Sequence, residues 1–342
     1  MELVKLISNE NPFGPPPKAL EAIRKYAQSV NYYPKFVPQT LKEKLAAKYH
    51  VSPENITVSA GSYELINLIT RFLVNRDEEI LTFDNTFIAY SYSAKRNSRK
   101  YSTVQMTGPE CNLNDLIPLC GDKTKAIFIA NPNNPTGTIV THNSLQKLLK
   151  EISSHILVVV DEAYFEYVTD ESYPNSVQIQ KDYPNLVILR TFSKIYGLAG
   201  IRIGYGIASR EISEVLEKNR LLRSVNALAE KAAEAALDDV EYIEQSAAHN
   251  DRERAILYEE LSRLGYNVNP SQANFLYFSF PDNERKAKVY RHLSDHGLLV
   301  CDMEFFGKKN ALRITIGNSD ANHRVIQCLG KLVSREKTAE AV

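Results

Sequence analysis

Four short segments carry residue types suited to chemistry at a single site. Leu189-Arg190-Thr191-Phe192-Ser193-Lys194-Ile195-Tyr196-Gly197-Leu198-Ala199-Gly200-Ile201-Arg202-Ile203-Gly204 sets a lysine among hydroxyls, apolar residues and glycines, with an arginine eight residues on. Apolar surroundings disfavour an ammonium ion, so Lys194 suits an amine nucleophile of the Schiff-base kind, and Arg202 suits a neighbouring phosphate. Val158-Val159-Val160-Asp161-Glu162-Ala163-Tyr164 brings a carboxylate directly out of an apolar run, with a phenol three residues later; a plain helix cap is the alternative for that aspartate. Asn131-Pro132-Asn133-Asn134-Pro135-Thr136-Gly137 reads either as a stiff turn or as a rigid loop presenting amides. Ser59-Ala60-Gly61-Ser62-Tyr63-Glu64 has the small residues that let backbone N–H groups approach an anion where a helix begins.

These segments require a scaffold that gathers them. Apolar, β-branched runs at 56–59, 79–83, 126–130, 156–160, 186–191 and 203–208 predict strands. Their apolarity is continuous rather than alternating, which implies burial on both faces in a mostly parallel α/β sheet, whose strand ends commonly hold ligands. After Ser209 long helical patterns follow at 227–237 and 240–264, the second long enough to bridge two domains. Apolar runs at 274–280, 298–301 and 311–316, alternating with helices near 285–296 and 320–331, predict a smaller α+β unit. Before the first strand of the main series, Ser8-Asn9-Glu10-Asn11-Pro12-Phe13-Gly14-Pro15-Pro16-Pro17 predicts an extended arm leading into a helix.

The chain has 342 residues, which argues for about two domains. With 41 Lys+Arg against 41 Asp+Glu, it has no bulk charge to recruit nucleic acid or an anionic membrane. Cys111, Cys120, Cys301 and Cys328 are scattered, as expected of reduced thiols in a cytoplasmic protein, and imply no metal site by themselves. No apolar run approaches the length of a membrane span, and the N-terminal residues lack the apolar core of a signal peptide. His292 and His296 have metal-like spacing on one helix face, but a solvated surface is the simpler reading without a further ligand. Signatures of dinucleotide binding, Walker-type phosphate binding, zinc proteolysis and a serine triad are absent.

In their order and spacing, the four segments resemble fold type I pyridoxal-phosphate-dependent aminotransferases, and specifically the histidinol-phosphate aminotransferase family, from the arm to Arg313. The resemblance implies a large domain with a mostly parallel sheet sandwiched by helices plus a smaller α+β domain, divided as 1–31 (arm and part of the small domain), 32–239 and 240–342. It implies pyridoxal 5'-phosphate bound to catalytic Lys194, with Asp161 on the pyridinium nitrogen, and Tyr164 and Asn134 on the phenolic oxygen. Gly61, Ser62, Thr191, Ser193 and Arg202 would hold the phosphate, and Phe87 would lie on the ring face or be an ordinary core residue. Tyr33, in Asn31-Tyr32-Tyr33-Pro34, would reach the other subunit's cofactor phosphate, which requires a homodimer. Arg313 would clamp a substrate carboxylate, and Asn11 of the arm would face the substrate.

The implied reaction is transamination from histidinol phosphate to 2-oxoglutarate in histidine biosynthesis. Two departures from the family pattern bear on it. Cys301 stands where an arginine usually ends the strand, and Leu221-Leu222-Arg223-Ser224-Val225-Asn226 replaces a pattern with Pro, Phe and Asn. Arg223 is either a substitute cation for the substrate or a surface residue. An aminotransferase for aromatic or other amino acids, and a threonine-phosphate decarboxylase, which shares the Ser-Val-Asn-Ala-Leu-Ala string, remain open alternatives. A non-catalytic binding protein on this scaffold is disfavoured by the intact Lys194, Asp161, Asn134 and Arg313.

Overall fold

In a computed structural model that describes residues 3–340, the chain folds around two sheets. Twelve strands build them among the described residues: β1 Val4–Leu6, β2 Ile56–Ser59, β3 Glu79–Phe83, β4 Lys100–Val104, β5 Thr124–Ala130, β6 Leu157–Asp161, β7 Leu186–Thr191, β8 Gly204–Ile207, β9 Asn267–Val268, β10 Phe275–Ser279, β11 Leu298–Asp302 and β12 Ala311–Thr315. The larger sheet has the order β2-β8-β7-β6-β5-β3-β4. Pairing is parallel from β7 through to β4, whereas β8 runs antiparallel to both β2 and β7.

Continuous apolarity in β5, β6 and β7 has the cause expected of it, since successive side chains point to opposite faces and both faces are covered. Ile127, Ile129, Val158, Val160 and Ile188 enter one core, while Ala126, Phe128, Val159, Val187 and Leu189 enter the other. Each fully buried aliphatic side chain of this size contributes about 1.5–3 kcal/mol. The sandwich is therefore held from both sides, and the site residues leave it at the carboxyl ends of buried strands.

The smaller sheet has the order β1-β11-β12-β10-β9, antiparallel except where β1 joins β11. Its core contains Leu6, Leu276, Phe278, Val300, Leu312 and Ile314. The helix Val240–Arg263 links the two units, packing Ile243 and Ala247 against the large core and Leu257 and Leu261 into the small one. Segment 1–31 divides differently from the sequence expectation. β1 completes the small sheet, but the helix Pro17–Tyr26 packs on the helix Ala227–Leu237 and buries Ala19 in the large core. Positions 1–2 and 341–342 of the expected domains lie outside the described residues. No helix among the described residues is long and apolar enough to cross a membrane.

Candidate active site

Parallel register sets the carboxyl ends of β5, β6 and β7 side by side, with Ala130 opposite Asp161 and Asp161 opposite Leu189. The loops leaving those ends meet the arm, β11 and β12 around a cavity of about 610 Å³. Ser62, Phe87, Asn134, Asp161, Tyr164, Thr191, Ser193, Lys194, Arg202 and Arg313 all line it. Segments separated by more than two hundred residues in sequence thus supply one site.

At one end lies an anion cradle. Gly61, at φ +90°, caps the helix Ser62–Phe72, whose first backbone N–H groups have no helical acceptor. Arg202 closes over it, donating from Nη1 to Ser193 Oγ at 3.3 Å and to Ala199 O at 2.8 Å. A Cβ at Gly61 would be strained at this positive φ and would lie 2.5 Å from Arg202 Nη2, displacing the guanidinium from the helix end. Thr191 Oγ1 donates to Ser193 Oγ at 3.0 Å, completing a cluster of hydroxyls and a cation suited to phosphate oxygens.

In the middle of the cavity, Lys194 Nζ donates to Ser8 O at 2.8 Å and lies 5.6 Å from the centre of the Tyr164 ring. The Tyr164 hydroxyl accepts from Asn9 Nδ2 at 2.9 Å, and that ring meets Phe275 edge-on. Below them is Asp161, whose Oδ2 accepts from the Tyr90 hydroxyl at 3.2 Å while its buried Oδ1 has no hydrogen-bond partner. Burial raises its pKa to about 7, with the Tyr90 hydrogen bond partly opposing the shift. A buried carboxylate with one unused oxygen is a ready partner for a cationic ring nitrogen.

Arg313 emerges from β12 on the opposite wall, only 4% exposed. Its Nη1 donates to Asn134 Oδ1 and its Nη2 to Ile7 O at 2.8 Å, while Nε has no partner. No carboxylate among the described residues pairs with it. Because Asn134 Oδ1 is committed to Arg313, the Nδ2 of that amide is the end left to donate to a ligand. Cys301 lies directly opposite Arg313 in the β11–β12 register and lines the cavity with Tyr290, Phe305 and Phe306.

Behind the site, Glu162 and Arg190 form an ion pair sealed from water, at 2.9 and 2.8 Å from Arg190 Nε and Nη2 to Glu162 Oε2. Ser176 Oγ holds the other Glu162 oxygen, and the guanidinium lies 3.5 Å from the Phe165 ring centre. Glu162→Ala would strand a buried cation beneath the Asp161 loop. We expect a loss of about 3–5 kcal/mol in urea unfolding, and a loss below 1 kcal/mol would show that the pair is not structurally required.

Three expected residues are not brought to the cavity of their own chain. Asn11 is buried, but its Nδ2 donates to Ile195 O at 2.7 Å and to Ser246 Oγ, so it fastens the arm instead of facing a substrate. Asn9, two residues earlier, takes the place beside Tyr164 because φ of +58° turns the arm there. Tyr33 is 84% exposed, and Arg223 lies with its guanidinium 4.7 Å from the Tyr33 ring centre and 4.2 Å from that of Phe36, on the outer surface of this chain. Asn9, Tyr90 and Tyr290 were not evident from sequence. The alternation Asn9, Asn11 in the arm was a usable signal for the first, whereas Tyr90 and Tyr290 sit in ordinary amphipathic helices.

The donor set fits pyridoxal 5'-phosphate on the structure's own terms. The cradle around Gly61 and Arg202 suits its phosphate, the unpartnered Asp161 oxygen its ring nitrogen, and the Lys194 amine its aldehyde. Comparison with known proteins agrees. Residues 1–329 match the family model described as aminotransferase class I and II. The chain is 40% identical over 332 residues to a histidinol-phosphate aminotransferase of Anaeromyxobacter sp., covering 97% of this chain and 91% of that protein. It is 37% identical over 334 residues to the histidinol-phosphate aminotransferase of Moorella thermoacetica, covering 97% and 86%. The crystal structure of histidinol-phosphate aminotransferase from Sinorhizobium meliloti in complex with pyridoxal-5'-phosphate superimposes with a TM-score of 0.90 at 26% identity, covering 98% of this chain and 91% of that one. The chain belongs to the class I and II aminotransferases, as a pyridoxal-phosphate-dependent transaminase of the histidinol-phosphate aminotransferase family.

Proposed function

We propose that the enzyme moves the amino group of histidinol phosphate to 2-oxoglutarate. The observation that carries this reading is Arg313, a buried guanidinium whose Nε makes no hydrogen bond and which has no carboxylate partner among the described residues, set in a cavity with aromatic walls. Histidinol phosphate bears its phosphate on the side of the reacting carbon where an amino acid bears its carboxylate. Arg313 would therefore meet the phosphate in one half-reaction and the carboxylate of glutamate in the other. The imidazole would lie toward Tyr290, Phe305 and Phe306.

When bound, pyridoxal phosphate supplies an electron sink for the amine-bearing carbon. The work of this chain is positional and protonic. Lys194 Nζ, held toward the cavity by Ser8 O, takes the proton from that carbon and returns it. Asp161, with its unpartnered oxygen, would hold a proton on the ring nitrogen, and Asn134 Nδ2 and the Tyr164 hydroxyl would donate to the edge of the ring. Arg313 fixes the substrate so that its carbon–hydrogen bond faces Lys194.

Cys301 beside Arg313 supplies a thiol in place of a second cation, which favours aromatic amino donors as a second reading. The two separate in a donor panel of histidinol phosphate, histidinol, phenylalanine and threonine phosphate. Losing the anion strands Arg313, so kcat/KM for histidinol should fall about 10²-fold below that for its phosphate. A preference for phenylalanine would select the second reading, and carbon dioxide release from threonine phosphate would select decarboxylation.

The active unit in this reading is a cytoplasmic homodimer. Tyr32, Tyr33, Phe36, Leu221 and Leu222 are exposed large side chains, and Arg220 Nη2, donating to Phe36 O at 2.9 Å, joins their two segments into one surface. Burying that apolar surface against a second copy would carry Tyr33 and Arg223 toward the partner's site. A monomer in sedimentation equilibrium at micromolar concentration would rule this out.

A further inference from the structure

The transaminase reaction leaves one cluster of ligand-type side chains unused. His292 lies on the helix Asn283–Asp295 and His296 caps its end, and the structure brings Cys328 to them from the helix Ser319–Glu340. One donor atom from each residue lies within 4.8 Å of the other two. The imidazole rings are 4.4 Å apart between centres. Sequence spacing offered only two ligands on one helix; folding supplies the third from 32 positions beyond His296.

Hydrogen bonding arms both histidines for coordination. His292 Nε2 meets Cys328 O at 3.1 Å, and His296 Nδ1 meets His292 O at 2.7 Å. A carbonyl only accepts, so each of these nitrogens carries the hydrogen, and Nδ1 of His292 and Nε2 of His296 keep their lone pairs. Anchoring one ring nitrogen on a backbone carbonyl is how metal-binding imidazoles are commonly held. Cys328 Sγ makes only a long contact, 3.9 Å to His292 O, and is otherwise uncommitted. Both histidines are half-buried, which leaves solvent a path to the cluster.

We propose that His292, His296 and Cys328 bind one zinc ion, with water as the fourth ligand. Two imidazoles and a thiolate suit a borderline-soft divalent ion, and three protein ligands leave one position open. On binding, the Cys328 sulfur–hydrogen bond breaks, its proton passes to solvent, and the sulfur's electron pair forms the bond to zinc. Tetrahedral ligands about 2.0–2.3 Å from an ion are about 3.5 Å apart, so donor atoms that now lie within 4.8 Å of one another would draw together on binding. The ion would pin the helix that carries Tyr290, a cavity-lining residue, to the helix behind it. The site thus stabilises the small domain and takes no part in amino transfer.

The test uses chelator-treated holoenzyme titrated with Co²⁺ and, in competition with a chromophoric chelator, with Zn²⁺. The proposal predicts one ion per chain, a sulfur-to-cobalt charge-transfer band, and long-wavelength cobalt bands clear of cofactor absorbance. Cys328→Ser should remove the charge-transfer band, and both it and His296→Gln should weaken zinc at least tenfold, with glutamate formation and cofactor absorbance retained. Should Cys328→Ser fold poorly, His296→Gln, altered at a half-buried position, still decides the matter. Unchanged zinc affinity in His296→Gln, or cobalt bound without a sulfur band, would overturn the proposal.

Discussion

Lys194→Ala should abolish turnover, lowering kcat by at least about 10⁴-fold, and should leave the protein colourless after incubation with pyridoxal phosphate and removal of the excess. Two functions would end together in this variant, because in the proposed mechanism the same amine bonds the cofactor aldehyde and carries the proton at the reacting carbon. Folding should be preserved. The Lys194 side chain makes one hydrogen bond, to Ser8 O, and its removal opens no apolar core. Adding a small primary amine should restore part of the proton transfer without restoring the protein-bound chromophore. Residual activity above about 1% of wild type would mean that another group handles the proton.

Asp161→Asn should separate chemistry from stability. An amide cannot hold a proton on the ring nitrogen, so kcat should fall about 10²–10³-fold. The cofactor-free protein should nevertheless be more stable than wild type at alkaline pH. Burial raises the Asp161 pKa from an ordinary 3.8 to about 7. Below pH 4 the carboxyl is protonated in both the folded and unfolded states and contributes nothing. Between pH 4 and 7 it ionises first in the unfolded chain, so folded stability declines as pH rises, and the deficit persists above 7. It is on the order of 4 kcal/mol for a fully buried group. Glu166, also raised by burial to about 8, falls in an overlapping window, but the difference between wild type and Asp161→Asn isolates Asp161. Thermal melts of cofactor-free protein at pH 5 and pH 8 decide the point: the gain of the variant over wild type should be clearly larger at pH 8 than at pH 5. Parallel melting curves at both pH values would show that the Asp161 carboxyl titrates normally.

The parts of this protein legible in its sequence are those specified locally. β2, β3 and β7 occupy the residues their apolar runs predict, because burial on both faces leaves an unbroken signature in the chain itself. β4 was not legible, since Lys100–Val104 is a half-exposed edge strand of mixed polarity. The reversed direction of β8 was equally hidden, because apolar content carries no record of strand polarity. The same division runs through the site. Lys194, Asp161 and Arg202 announce themselves by short motifs, whereas the Asn9–Tyr164 and Glu162–Arg190 pairs exist only through long-range folding. One left-handed residue in the arm decides that Asn9, not Asn11, lines the cavity, and a sequence pattern carries no record of that turn. Tyr33 and Arg223 lie on the outer surface of the chain, away from the cavity their motifs suggested.

Product balance measures amino transfer from histidinol phosphate most directly. Holoenzyme supplied with histidinol phosphate and 2-oxoglutarate should form glutamate and the ketone phosphate in equal amounts, with no carbon dioxide, and Arg313→Leu should lose this activity by about 10²-fold or more. Failure of histidinol phosphate to yield glutamate, under conditions where another donor does, would contradict the account.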